Sequence, residues 1–283
     1  MRLLKSIYKI SLFRYIYKKL GCVLFITTGK KPWSIGYHAY KEKHIQSALL
    51  QGKFDAKKLP HGYGFRIDER IIEYPWFFSR LPSGNGRLLD AGSILNFDYI
   101  ITQKMLAGKK VFISTLAPET YCFWEKGIGY IYEDLRDACY KDNYFDWVVS
   151  LSTVEHIGLD NTILYTADGS KRENRPSSYL EAIKEFYRVL KPGGVLYLSL
   201  PFGKYKNHGW FQVFDGEMIV QLIHTFSPVS FNEYYFKYEP DGWRVAPKED
   251  IKDATCFDIH FQKPYDPDYA AFSRGIVCLE LIK

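Results

Sequence analysis

From Arg87 to Leu200, short apolar runs rich in branched side chains alternate with stretches of helical periodicity. That alternation confines the chain to a largely parallel sheet, because each strand must return to the same edge through a right-handed crossover. Strands are expected at 87–90, 110–115, 129–132, 145–151 and 194–200, with helices between them. The clearest helix spans 179–190: Ser178 and Glu181 have capping-box spacing, and Lys191-Pro192-Gly193-Gly194 ends it and turns into the next strand. Two later strands, near 229–237 and 276–282, bring the α/β sheet to seven strands with helices on both faces.

Because the sheet begins late, the chain divides by composition. Residues 1–30 read as a basic, aromatic arm, 31–84 as a linker with N-terminal helices, and 85–283 as one domain with insertions near 158–177, 201–216 and 239–272. With 283 residues, 47% of them hydrophobic, one decorated core is within reach. Five cysteines, none in a C-x-x-C pair, fit neither a disulfide framework nor a zinc site; a reducing cytoplasm and no metal are expected. The first 31 residues hold eight Lys and Arg and no acid, while the whole chain is +6, so the remainder is net −2. Basicity confined to one arm argues against a nucleic-acid groove on the body. It leaves two uses for the arm: contact with an anionic membrane at its inner face, or packing on the domain with its lysines in water. The apolar run Val23 to Ile26 is far short of the ~20 residues of a membrane span, and Lys18-Lys19 interrupts any signal-peptide core.

After the first strand, Asp90-Ala91-Gly92-Ser93-Ile94-Leu95-Asn96 forms a strand-to-helix turn in which glycine lets a ligand approach the backbone. A dinucleotide cradle would need G-x-G-x-x-G, and its second and third glycines are missing; a nicotinamide enzyme is disfavoured. A cationic sulfonium with an amino-acid tail needs an acid and free backbone groups, which Asp90, Gly92 and Ser93 supply. The plain alternative is a tight turn without a ligand. At the carboxyl end of the fourth strand stands Leu151-Ser152-Thr153-Val154-Glu155-His156, over the crevice where such sheets bind ligands. A histidine there can remove a hydroxyl proton, or it can be a packed core residue. In the loop 201–215, His208, Trp210, Gln212 and Asp215 offer the aromatic faces and polar rim that suit a sugar ring. The alternative is that Trp210, Phe211 and Phe214 pack the loop and Asp215 caps a helix at 218–226. Arg244 either pairs with an anionic acceptor or with a surface carboxylate.

Taken in order and spacing, residues 87–201 resemble the class I S-adenosylmethionine-dependent methyltransferases, which have a Rossmann-like fold. The resemblance rests on the turn at Asp90, on Val111-Phe112-Ile113-Ser114-Thr115, on Tyr132-Glu133-Asp134-Leu135 and on Asp142-Asn143-Tyr144-Phe145-Asp146. It implies S-adenosylmethionine as cofactor. By the same resemblance Thr115 stands where an acid usually grips the ribose, with Glu119 one helical turn later as a substitute. Asp134 would receive the adenine amino group and Leu135 line its pocket, Ser152 and Thr153 would meet the cofactor through backbone, and His156 would face the acceptor, with His208 as the second choice of base. A narrower resemblance, carried by Lys31-Pro32-Trp33, Asn207-His208-Gly209-Trp210 and Cys278-Leu279-Glu280-Leu281, is to methyltransferases of bacterial surface-polysaccharide clusters. It implies O-methylation of a sugar or another small hydroxylated acceptor. The competing expectation is a non-catalytic, membrane-apposed assembly protein that keeps the fold.

Overall fold

The computed structural model describes residues 16, 18–52 and 54–283; the first half of the basic arm, 1–15, and residue 17 lie outside the described residues. A central sheet is built from β1 (Gly86–Ala91), β2 (Lys109–Thr115), β3 (Gly129–Tyr132), β4 (Phe145–Leu151) and β5 (Leu190–Pro201), all parallel. Two-residue strands β6 (Lys206–Asn207) and β7 (Gln212–Val213) form a separate hairpin. The sheet continues with β8 (Ser230–Glu239), β9 (Gly242–Val245) and β10 (Gly275–Ile282), in the order β3-β2-β1-β4-β5-β10-β8-β9. β10 runs antiparallel to both of its neighbours. The order reverses between β1 and β4, which opens a crevice at the carboxyl edge of the parallel strands.

The eighth strand corrects the expected seven. Gly242, at φ 131°, sits so close to Tyr63 and Gly62 that a Cβ would meet the Tyr63 carbonyl at 2.6 Å. With a glycine able to take that backbone at the turn, the chain reverses and β9 pairs antiparallel with the end of β8. Four residues are too few to display a strand period.

Side chains alternate across the sheet as the pleat requires. Val111, Ile113, Val149, Leu151, Tyr197, Ile276 and Cys278 face one core cluster with α1 (Tyr37–Gln51) and α2 (Arg70–Arg80). Leu89, Val148, Leu196, Leu198, Val277 and Leu279 face the other, with α3 (Tyr179–Val189) and α4 (Gly216–Phe226). α2 is buried nearly all round: Ile71, Ile72, Tyr74, Trp76 and Phe77 are each at most 2% exposed. Such a helix belongs inside the fold, and its first turns reach the carboxyl edge of the sheet. The helical residues 18–27 pack Cys22 and Phe25 inward while Leu20, Val23 and Ile26 stay exposed. No described helix is long and apolar enough to cross a membrane.

Candidate functional site

The turn after β1 is held from three directions. Both carboxylate oxygens of Asp90 are taken by its own turn, accepting from the amides of Ile94 at 3.0 Å and Leu95 at 2.7 Å. Burial pushes Asp90 up to about 7 against those two donors. The Gly92 amide donates to the Ser114 carbonyl on β2 at 2.8 Å, and Tyr74 of α2 donates to the Ile94 carbonyl at 2.5 Å. Gly92 is at φ 123°, and a Cβ there would stand 2.2 Å from Oγ1 of Thr153. The turns after β1 and β4 thus approach each other at a distance only glycine permits. Ser93 and Ser152, at φ 63° and 41°, hold left-handed backbone on either side of the crevice, a conformation that persists where surrounding bonds over-determine it.

Between these turns lies a cleft with about 730 Å³ of empty space, open solvent at its mouth included. Of the residues expected from the sequence, Gly92, Thr115, Asp134, Leu135, Thr153 and His156 line it. Asp90 does not; it is fully buried beneath the turn and shapes it. Ser93 lies in the turn, and its buried hydroxyl has no partner. Ser152 turns its hydroxyl to Glu73 at 2.5 Å, and Glu119 is not among the lining residues. The acid beside Thr115 is instead Glu133, which lines the cleft and accepts from Ser114 at 2.7 Å and from the Cys139 amide at 2.8 Å.

Asp134 is clamped by Arg136, whose guanidinium reaches it at 2.6 Å and reaches Glu173, across the cleft, at 2.6 Å. Burial alone would raise Asp134, but the bonds from the Arg136 side chain and backbone outweigh it and hold the carboxyl below its ordinary range. Arg136, Glu173, Asn161 and Tyr165 complete the wall. None was singled out in the sequence, because charge alone does not mark a partner 37 residues away.

His156 sits in the short turn Val154–His156 that follows β4. Its Nδ1 lies 2.9 Å from the Trp210 carbonyl oxygen, an acceptor only, so Nδ1 carries the hydrogen and Nε2 the lone pair. Burial pushes the imidazole down to about 4, with the Trp210 bond opposing. His156 is therefore a neutral base at the cleft. His208 is elsewhere: its Nδ1 faces Asp258 at 3.3 Å, its ring stacks on Phe211, and it borders a separate recess with Lys206 and Thr255. Burial lowers it as well.

None of the four expected acceptor contacts lines the cleft. Trp210 is buried against His156 and His260, with Nε1 on Asp258 at 3.3 Å. Gln212 is fully buried and donates to the Pro176 carbonyl at 2.7 Å. Asp215 accepts from the Met218 amide at 2.9 Å as the N-cap of α4, the packing alternative weighed above. Arg244 pairs with Glu239 at 2.9 Å and Asp250 at 3.7 Å. Among the described residues no group of three His, Cys, Asp or Glu side chains is placed to hold a metal.

Residues 101–198, from the helical turn after β1 to the middle of β5, match a family described as a methyltransferase domain. No curated protein matches the chain. Among solved structures it is similar to an S-adenosylmethionine-dependent methyltransferase of Methanosarcina mazei, at 15% identity and a TM-score of 0.44 over 72% of this chain and 96% of that one. It is similar at 14% identity to the 1,6-didemethyltoxoflavin N1-methyltransferase of Burkholderia thailandensis, solved with 1,6-didemethyltoxoflavin and S-adenosylhomocysteine (TM-score 0.41, 71% and 72% covered). The cyclase SpnF, also 14% identical, reaches a TM-score of 0.47 over 86% of this chain and 94% of its own.

Proposed function

We propose that this chain is an S-adenosylmethionine-dependent methyltransferase that methylates a hydroxyl of a small acceptor, a sugar being the class its sequence suggests. One observation carries the reading: the Gly92 backbone, the Asp134-Leu135 loop, Thr153 and a neutral His156 all border one cleft at the switch point of the sheet. The cofactor is S-adenosylmethionine. Its fit is supported by the bare backbone at Gly92, by the unpartnered hydroxyl of Ser93, and by a carboxylate at Asp134 with Leu135 beside it. When bound, it supplies the methyl group on a positively charged sulfur.

The protein's own share is positioning and proton handling. Asp90 and Tyr74 fix the turn that carries Gly92, so the backbone is organised before a ligand arrives. Arg136 ties the third-strand loop to Glu173, which sets the width of the cleft. His156, with Nδ1 fixed on a carbonyl, presents Nε2 as the group that takes the acceptor's proton. For the arm, seven cations without an acid next to exposed Leu20, Val23 and Ile26 support contact with an anionic membrane surface, where a lipid-linked glycan acceptor would be met.

Calorimetry with S-adenosylhomocysteine tests the core of the reading: binding is expected for the full chain, and none at millimolar ligand would sink it. His156→Ala should keep that binding and lower methyl transfer by ~100-fold or more, the contribution typical of a positioned base. A loss under ~10-fold would remove His156 from the mechanism.

A further inference from the structure

Beside the imidazole of His156 lies a carboxyl group with nothing to hold it. Glu155 has no exposed surface, and neither of its oxygens has a hydrogen-bond partner. Its surroundings account for this. Arg70, from α2, is drawn instead to Glu73 at 2.6 Å and to the Leu151 carbonyl at 2.9 Å. Glu73 itself receives the hydroxyls of Ser152 and Ser199, each at 2.5 Å. Glu69 and Cys256 are the other titratable groups near Glu155. Arg70 acts on the carboxylate through space, and the basic ring within 4 Å of it is that of His156, with Nε2 3.9 Å from Oε1. A buried acid is retained in a fold only where a partner or a proton offsets its desolvation.

Building on the methyltransferase reading, we propose that Glu155 is the counter-charge of the base: its carboxylate stabilises the imidazolium formed when Nε2 of His156 takes the acceptor's hydroxyl proton. In that step the O–H bond breaks and its proton moves to Nε2. The oxygen's electron pair forms the new O–C bond while the S–C bond breaks, its pair remaining on sulfur. Glu155 touches no reacting atom and is a positioning residue acting through His156. Burial and Arg70 hold the imidazole down at about 4, so an imidazolium formed there gains from a nearby carboxylate. Burial, with Glu73 and Glu69 adding to it and the backbone amide of Glu155 and Arg70 opposing, raises Glu155 well above the ordinary carboxylate range. Its ionised form therefore grows as pH rises, and the proton affinity of His156 grows with it.

The test is a nitrogen-15 NMR titration of His156 in the full chain, wild type against Glu155→Gln, which needs no acceptor. The wild type should show a second, alkaline step at His156 and a proton affinity at least ~10-fold above that of Glu155→Gln, in which the step disappears. Superimposable titrations would overturn the proposal. Glu155→Asp, with a shorter carboxylate, should fall between the two and supplies the comparison should Glu155→Gln not fold. Calorimetry keeps the two readings apart. A wild type that fails to bind S-adenosylhomocysteine defeats the methyltransferase reading, while the titration still decides whether Glu155 and His156 are linked. Once an acceptor is in hand, Glu155→Gln should lower kcat by ~10-fold to ~100-fold with KM unchanged and flatten the alkaline limb of the pH–rate profile.

Discussion

The two halves of the carboxyl edge are built on opposite terms. On the β1–β2–β3 side the carboxylates are spent locally: Asp90 on Ile94 and Leu95, Glu133 on Ser114 and Cys139, Asp134 on Arg136. The Ser93 hydroxyl is the exception there, left unpartnered. On the β4–β5 side polar groups are held in reserve, with both oxygens of Glu155, Oδ1 of Asn161 and Oε1 of Gln212 buried and unpartnered. A satisfied network is rigid and pre-organised, whereas an unsatisfied one awaits a donor. Cofactor sites are shared among chemistries and can be fixed in advance. On the reading proposed above, the β4–β5 side faces the acceptor, where one chain must differ from the next.

The largest effect expected from that contrast is at the rigid half. Gly92→Val puts carbon atoms into the space of Thr153 Oγ1 and strains a backbone at φ 123°, so S-adenosylhomocysteine affinity should fall by ~100-fold or more. Calorimetry giving less than ~5-fold would show that the turn yields and is not pre-organised. A smaller effect separates the halves by pH. Burial, reinforced by Asp68 and Glu73, raises Glu69 of the reserve side to about 8. The folded chain thus holds a proton that the unfolded chain has already lost above ~4.5, and stability must fall as pH rises through neutrality. From pH 7 to pH 8.5 the share of the loss that belongs to Glu69 is about 1 kcal/mol, or ~2–4 °C in the melting temperature, on top of the shares of Asp90 and Glu155. Glu69→Gln should remove most of that share in a thermal melt, and an unchanged slope would mean the acid is ionised and paired. Smallest of all is Arg244→Ala. Its exposed pairs with Glu239 and Asp250 are worth little, so affinity and melting should stay within ~2-fold and ~1 °C. A larger change in acceptor affinity would return Arg244 to the site.

Legibility followed the same divide. The strands were readable because each is a buried run whose neighbours lie on opposite faces, and β3 and β4 match expectation to the residue. β5 begins at Leu190, before the expected 194, because Leu190 pairs with Phe145 across a register shift that no local signal announces. Ser178 shows the limit of a capping motif: its hydroxyl contacts the Glu181 carboxylate at 3.3 Å and caps no amide. Gly92 and Thr153 were found because a strand-to-turn junction is a local event. Glu133 and Asn161 were not, since which of several polar loop residues faces the cleft is decided by tertiary packing. The aromatic loop left two readings open in the sequence, a sugar platform and packing, because aromatic side chains serve both; in the fold Trp210 packs against His156 and Phe211 against His208 and Phe272.

One feature of α2 bears on how such a fold is inherited. Its Tyr74 secures the loop after β1, its Arg70 the end of β4, and its Glu73 the hydroxyls that follow β4 and close β5. Three strand ends are therefore tied off by one helix that precedes them all in the chain. The span 101–198 that carries the family likeness contains neither that helix nor β1. Transplanted alone, it would arrive with its working edge unlaced, and the unit that evolution or an engineer can move begins at least as early as Arg70.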